Sequence, residues 1–254
     1  MGATHLLFHN QGRGRPIGGA SDIPVNLENI LHTQPASLIA VWPGNDASAP
    51  TVYDKGVNGY NALAVGGVTF GSDGIGDGGK SLLLDGTTGY VNLYSAGLAG
   101  AFNASEGTVL VFVKVKDATV WSDASERYFM RLRATSQNRI DIFKRTNVGW
   151  VSIEYVAGGT NSGRIVTNMT QTSFFSVAIT WSVSNDRVRA YKDGVQQGAT
   201  LTGLGTWEGA LLSTLTLMGA GGAGAWVHNG SIAYGAIWSV ELSPTEVATV
   251  GSPF

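Results

Sequence analysis

The sequence predicts an all-β protein, a sandwich or barrel of antiparallel strands, and three observations carry that expectation. Ten short runs have strand length and are rich in β-branched and aromatic residues: LIAVW, KSLLLD, GYVNL, TVLVFVKVK, RYFMRLRA, RIDIFKR, WVSIEYV, FFSVAITWSV, RVRAYKDG and SIAYGAIWSVEL. Turn residues drawn from 36 glycines and 7 prolines separate them. One short segment alone carries a helix signal, so the chain lacks the strand–helix alternation of a parallel sheet. Its 254 residues suffice for one large core.

Residues 1–37 read differently from the rest. GRGRPIGGASDIP, Gly12 to Pro24, has neither a helical nor a strand period and is expected to be an extended arm, with Arg13, Arg15, Pro16 and Ile23 as its contact residues. Residues 38–254 form the predicted sandwich. In TVLVFVKVK, Val109, Val111, Val113 and Val115 fall on one strand face, and Phe112, Lys114 and Lys116 on the other. GIGDGGKS, Gly74 to Ser81, matches the phosphate-binding pattern G-x-x-x-x-G-K-[ST]. A phosphate loop must open a helix, whereas this one leads into SLLLDGTTGYVNL, two strands about a DGTTG turn, so it reads as a Gly-rich turn with Lys80 at a strand edge. Asp193-Gly194 is a tight-turn dipeptide after Arg187–Lys192. GAGGAG, Gly219 to Gly224, is expected to be a flexible loop. LSPTEVATV is the helix: Ser243 caps it, Pro244 suits its first position, and Glu246 completes a capping box.

Composition excludes several classes. Charged residues make up 13% and the formal net charge is −2, which argues against nucleic acid as a partner. No window approaches a membrane span, and no basic region followed by an apolar run opens the chain. Without cysteine there is neither a disulfide framework nor a thiolate metal site. The sequons at Asn103, Asn168 and Asn229 carry little weight without a secretory signal.

The order of the motifs LIAVWPGNDASAPTVYDKGVNGYNALAVGGVTF, GDGGKSLLLDGTTGYVNL, GTVLVFVKV, FFSVAITWSVSNDRVRAYKDGVQQG and GSIAYGAIWSVELSPTEVATV resembles the successive landmarks of the laminin G-like, concanavalin A-like lectin/glucanase superfamily, from about Leu38 to the end. The resemblance implies a jelly roll of two packed antiparallel sheets. Enzymes of that superfamily carry E-x-D-x-(x)-E on one strand. The nearest text here, RIDIFKR, offers Asp141 with Lys144 and Arg145 in place of a second acid, so a non-enzyme is expected. Nucleophilic catalysis lacks a cysteine, a G-x-S-x-G and all but four histidines: His5, His9, His32 and His228. His5 and His9 stand four apart, but their LLF interval favours packing over a zinc site.

Calcium is the one cofactor the resemblance leaves open, with Asp54, Asn58 and Asp85 as loop ligands; ordinary Asx turns are the alternative. For glycans the candidate platforms are Tyr128, Trp150, Tyr155, Trp226 and His228, each on or beside a strand or on the Gly-rich loop, with core or interface packing as the alternative. Trp42, Trp181 and Trp238 sit among apolar neighbours and read as core. Arg127, Arg131, Arg133, Arg139, Lys144 and Arg145 form either a basic stripe for an acidic partner or a solvated sheet face.

The expected function is therefore a non-catalytic structural or binding protein. Laminin G-like domains usually work outside cells, yet the chain shows no signal and no disulfides. The first expectation is thus a bacteriophage virion surface protein, a capsid decoration or tail-associated component contacting other virion proteins through the arm as a homo-oligomer, a trimer being favoured. The alternative is a lectin-like module for cell-surface glycans.

Overall fold

The computed structural model describes residues 23–45 and 49–253. Its elements run α1 Val25–His32, β1 Leu38–Pro43, β2 Thr51–Val52, β3 Ala62–Val65, β4 Val68–Asp73, β5 Lys80–Asp85, β6 Tyr90–Asn92, α2 Ala96–Ala101 and β7 Glu106–Val115. There follow β8 Arg127–Thr135, β9 Asn138–Lys144, β10 Val151–Ala157, β11 Thr160–Val166, β12 Phe175–Ser182, β13 Arg187–Lys192, β14 Val195–Gln196, β15 Thr216–Met218, β16 Asn229–Trp238 and α3 Pro244–Gly251. The strands make two antiparallel sheets, as the alternating runs predict. The first runs β14-β13-β12-β7-β16-β5-β4, with β1 also on β16; the second runs β11-β10-β9-β8-β15-β6-β3-β2. No helix among the described residues is long and apolar enough to cross a membrane.

Between the sheets lies the main core. Val109, Val111, Val113 and Val115 of β7 enter it together with Trp42, Trp181, Ile140, Ile142, Ile153 and Tyr155. On the opposite face of β7, Leu110 and Phe112 enter a second apolar layer with Tyr234, Ala236 and Trp238 of β16. Two helices close that layer, α1 through Leu27 and Ile30 and α3 through Val247 and Val250. The first sheet is thus buried on both faces, which explains why β12 reads as FSVAITWS with every position buried.

The α1 helix departs from the extended arm expected for residues 1–37. VNLENILH spaces Leu27, Ile30 and Leu31 on one helical face. Trp238 Nε1 donates to the Thr33 carbonyl at 2.9 Å, and Gln34 donates to Glu246 at 2.6 Å, so this segment is bound to both β16 and α3. Ile23 is half exposed, while Arg13, Arg15 and Pro16 lie outside the described residues. The α3 helix carries the expected capping box: the Ser243 hydroxyl accepts from the Glu246 amide, and Glu246 accepts from the Ser243 amide.

The Gly-rich phosphate-like stretch is a hairpin turn between β4 and β5. Gly76 and Gly78 take φ of 96° and 92°, Lys80 is an exposed partner of Asp73 at 3.7 Å, and no helix follows. Asp193 and Gly194 both have positive φ, 51° and 76°, as a type I′ turn requires.

If residues 25–32 belong to the core, Ile30→Ala lowers stability by about 2–4 kcal/mol in urea unfolding. A freely extended arm would leave the midpoint unchanged.

Candidate functional site

Helices α1 and α3 close the outer face of the first sheet, so the second sheet and its loops offer the open surface. Its outer face is a lattice of paired charges. Arg131 grips Asp141 with Nε and Nη2 at 2.8 and 2.9 Å, and Arg139 reaches the same carboxylate at 2.9 Å. Glu154, directly across from Asp141 on β10, lies 3.6 Å from Arg139 and 3.9 Å from Arg145. Burial, then the Asp141 charge, pushes the Glu154 carboxyl above its ordinary value. The basic residues from Arg127 to Arg145 are therefore not a free cationic stripe: most of them neutralise acids that the spacing along one strand did not reveal.

Three of the five candidate platforms are structural. Tyr128 is buried, stacked on Phe143 at 4.7 Å and covered by the Arg131 guanidinium at 4.1 Å. Tyr155 is fully buried beside Trp181 and donates to the Ala104 carbonyl. His228 is fully buried, edge-on to Phe129 at 5.1 Å, with Nε2 3.1 Å from the Lys114 carbonyl. Tyr155 shares its strand face with Val151 and Ile153, and all three enter the inter-sheet core. Trp150 and Trp226 are the exposed pair, at 38% and 51%.

The three residues named as calcium ligands are engaged within the protein, Asp54 and Asp85 as acceptors of backbone amides and Asn58 as a donor. Asp54 is buried and accepts the amides of Val41, Gly56 and Tyr60 at 2.8–2.9 Å. Asn58 donates to the carbonyls of Leu38 and Ile39. Asp85 accepts from the amides of Thr87, Thr88 and Gly89 and from the Thr88 hydroxyl, and although burial opposes ionisation these bonds hold its carboxyl well below the usual range. Among the described residues no group of three or more His, Cys, Asp or Glu side chains gathers in one place.

Trp226 owes its position to the Gly-rich loop, which is an ordered turn rather than a loose connection. The Gly221 amide donates to the Ala225 carbonyl and the Ala225 amide to the Gly222 carbonyl. Trp226 follows with φ of +53°, a left-handed backbone that bulky residues adopt at a cost of order 1–3 kcal/mol and that points to a constraint on the side chain. Its carbonyl accepts from the Tyr128 amide at 3.0 Å, which fixes the loop to β8.

Trp226 helps to line a recess of about 320 Å³ whose walls come from four loops and include Thr87, Ser125, Glu126 and Thr146. A second recess, about 350 Å³, contains Glu126, Arg145, Thr146, Val148 and Trp150. Arg127 ties the walls together: Nη1 donates to the carbonyls of Gly86 and Val227 at 2.9 and 2.8 Å, while Nε and Nη2 donate to Asp123. Asp123 also accepts from Lys144, a fully buried lysine whose ammonium is further satisfied by the carbonyls of Asp123 and Ser125. Burial alone would raise the Asp123 carboxyl, but the bonds from Lys144 and Arg127 outweigh it and hold the group below its ordinary value. The sequence reading missed Asp123, Glu126 and Thr146. Only their clustering in loops that converge on one end of the sandwich marks them.

No family model and no curated protein sequence matches the chain. Solved structures match it as a fold. Domain 4 of AbnA, a GH43 extracellular arabinanase from Geobacillus stearothermophilus, in complex with arabinotriose, superposes with a TM-score of 0.60 at 16% identity, covering 85% of this chain and 98% of that one. The CBM40 of the Ruminococcus gnavus IT-sialidase gives 0.53 at 18% identity, covering 68% and 96%; its complex with α2,3-sialyllactose gives 0.50. The receptor-binding domain of botulinum neurotoxin mosaic serotype C/D gives 0.62 at 16% identity over 85% of this chain, which spans half of that domain. At these identities the likeness establishes the fold alone, a jelly-roll-like β-sandwich.

Two expectations follow from the buried groups. Removing the Asp123 carboxylate leaves the Lys144 charge buried without its counter-ion, so Asp123→Ala should cost about 3 kcal/mol in urea unfolding. Burial lowers the His228 pKa from 6.5 to about 4, so between those values the unfolded chain binds the proton and the folded one does not. Stability from this group is whole above pH 6.5 and falls by about 1.4 kcal/mol per unit towards pH 4, a slope that His228→Leu should remove.

Proposed function

We propose that the protein is a non-catalytic, lectin-like carbohydrate-binding module whose ligand rests on Trp226. The observation that carries this reading is an indole 51% exposed, held on a left-handed backbone and lining a polar recess that an Arg127 clamp keeps in shape. A sugar presents an apolar C–H face for stacking and a ring of hydroxyls for hydrogen bonds, and the recess supplies both an indole and the polar groups of Thr87, Ser125, Glu126 and Thr146. Sandwiches of this fold solved with arabinotriose and α2,3-sialyllactose support the ligand class. The non-catalytic reading is supported by the state of Asp141, the one carboxylate of the RIDIFKR strand, which is 1% exposed and held by two guanidinium groups, leaving it neither acid nor nucleophile. Attachment to a virion is a narrower idea that rests on residues 1–22, outside the described residues.

Calorimetry against a glycan panel tests the reading. Trp226→Ala should weaken binding at least about tenfold with an unchanged melting temperature, as for a central contact residue. Undiminished binding by the variant would place the site elsewhere.

A further inference from the structure

We propose that the Trp226 and Trp150 recesses are two subsites of one groove, filled by a neutral linear oligosaccharide, and that Glu126 at their junction selects against acidic sugars. This inference rests on the glycan-binding reading above and goes beyond it in ligand length and charge.

Continuity comes from shared walls: Glu126 and Thr146 line both recesses, and each recess holds one half-exposed tryptophan. Singly the recesses, at about 320 and 350 Å³, sit near the floor of the roughly 300–1,000 Å³ typical of small-molecule sites; joined they are well within it. Two aromatic platforms separated by a polar saddle suit a chain of sugars, each stacked on one indole.

Charge selection follows from which groups remain free. The cations lining the groove are already engaged: Arg127 by Asp123 and two carbonyls, and Arg145 by the Ser152 hydroxyl at 2.8 Å and Glu154 at 3.9 Å. The neighbouring acids Asp123, Asp141 and Glu154 are paired too. Glu126 differs: among the described residues its carboxylate has no hydrogen bond or ion pair within 4 Å and acts on Arg131 and Tyr128 only at longer range, while it lines both recesses. An ionised carboxylate only accepts, so its complement is a pair of adjacent sugar hydroxyls, one donating to each oxygen, in charge-assisted bonds stronger than neutral ones. A uronic or sialic acid carboxylate at that point meets a like charge. The preference is therefore opposite to that of a sandwich solved with sialyllactose.

The test is calorimetry on the full chain with neutral glucose, xylose, arabinose and galactose oligomers of one to four units, the same oligomers carrying one uronic acid, and α2,3-sialyllactose. Affinity should rise at least about tenfold from one sugar to three, Trp150→Ala should abolish that rise while sparing monosaccharide binding, and acidic chains should bind about tenfold more weakly, a gap that Glu126→Gln closes. Binding that depends on Trp226 but neither grows with length nor responds to Trp150→Ala overturns the two-subsite groove and leaves the glycan-binding reading standing. Acidic chains that bind as well as neutral ones to the unaltered protein overturn the role of Glu126. If no member of the panel binds, both readings fall.

Discussion

A β-sheet with apolar residues on both faces cannot end at the protein surface, and the first sheet of this sandwich is such a sheet. Every second residue of β7 enters the inter-sheet core, and the residues between them, Leu110 and Phe112, need a cover of their own. Helices α1 and α3, drawn from opposite ends of the described chain, provide it. At roughly 25 cal/mol per Å² of apolar surface removed from water, residues such as Ile30 and Val247 each contribute on the scale of 1.5–3 kcal/mol. The cover also decides where function can sit, because it removes one of the two outer sheet faces from solvent.

The remaining face is organised by electrostatics. Asp141 and Asp123 gather the guanidinium and ammonium groups that a one-dimensional reading takes for a basic stripe. Buried ion pairs of this kind add little net stability but are strict about geometry, since losing one partner strands the other in a poor solvent. That strictness suits a rim built from four loops: the Arg127 fork fixes Gly86, Asp123 and Val227 relative to one another, and the Trp226 indole stands on the result. A binding surface prepared in this way loses less entropy when a ligand arrives.

Local patterns made much of the fold legible in the sequence. The strands, the Asp193-Gly194 turn, the Ser243 capping box and the core placement of Trp42, Trp181 and Trp238 each follow from neighbours within a few residues. The α1 helix was hidden because its short apolar face, Leu27 and Ile30, follows a Gly- and Pro-rich stretch that dominates the composition. The site was legible only in part. Burial of Tyr155 follows from alternation with Val151 and Ile153, whereas exposure of Trp150 and Trp226 against burial of Tyr128 and His228 depends on cross-strand packing and on how a loop folds back, which no local pattern encodes. Asp54 and Asp85 accept backbone amides while Asn58 donates to the carbonyls of Leu38 and Ile39, partners that their loop sequences alone do not disclose.

The central claim, that ligand meets this protein at the exposed indoles of one rim, can be read directly from the indole N–H resonances of its seven tryptophans during a titration with neutral oligosaccharides. The account predicts that the Trp226 and Trp150 signals shift with added sugar while those of the buried Trp42, Trp181 and Trp238 stay in place. Shifts at the buried set or at Trp207 with Trp226 unmoved would contradict it.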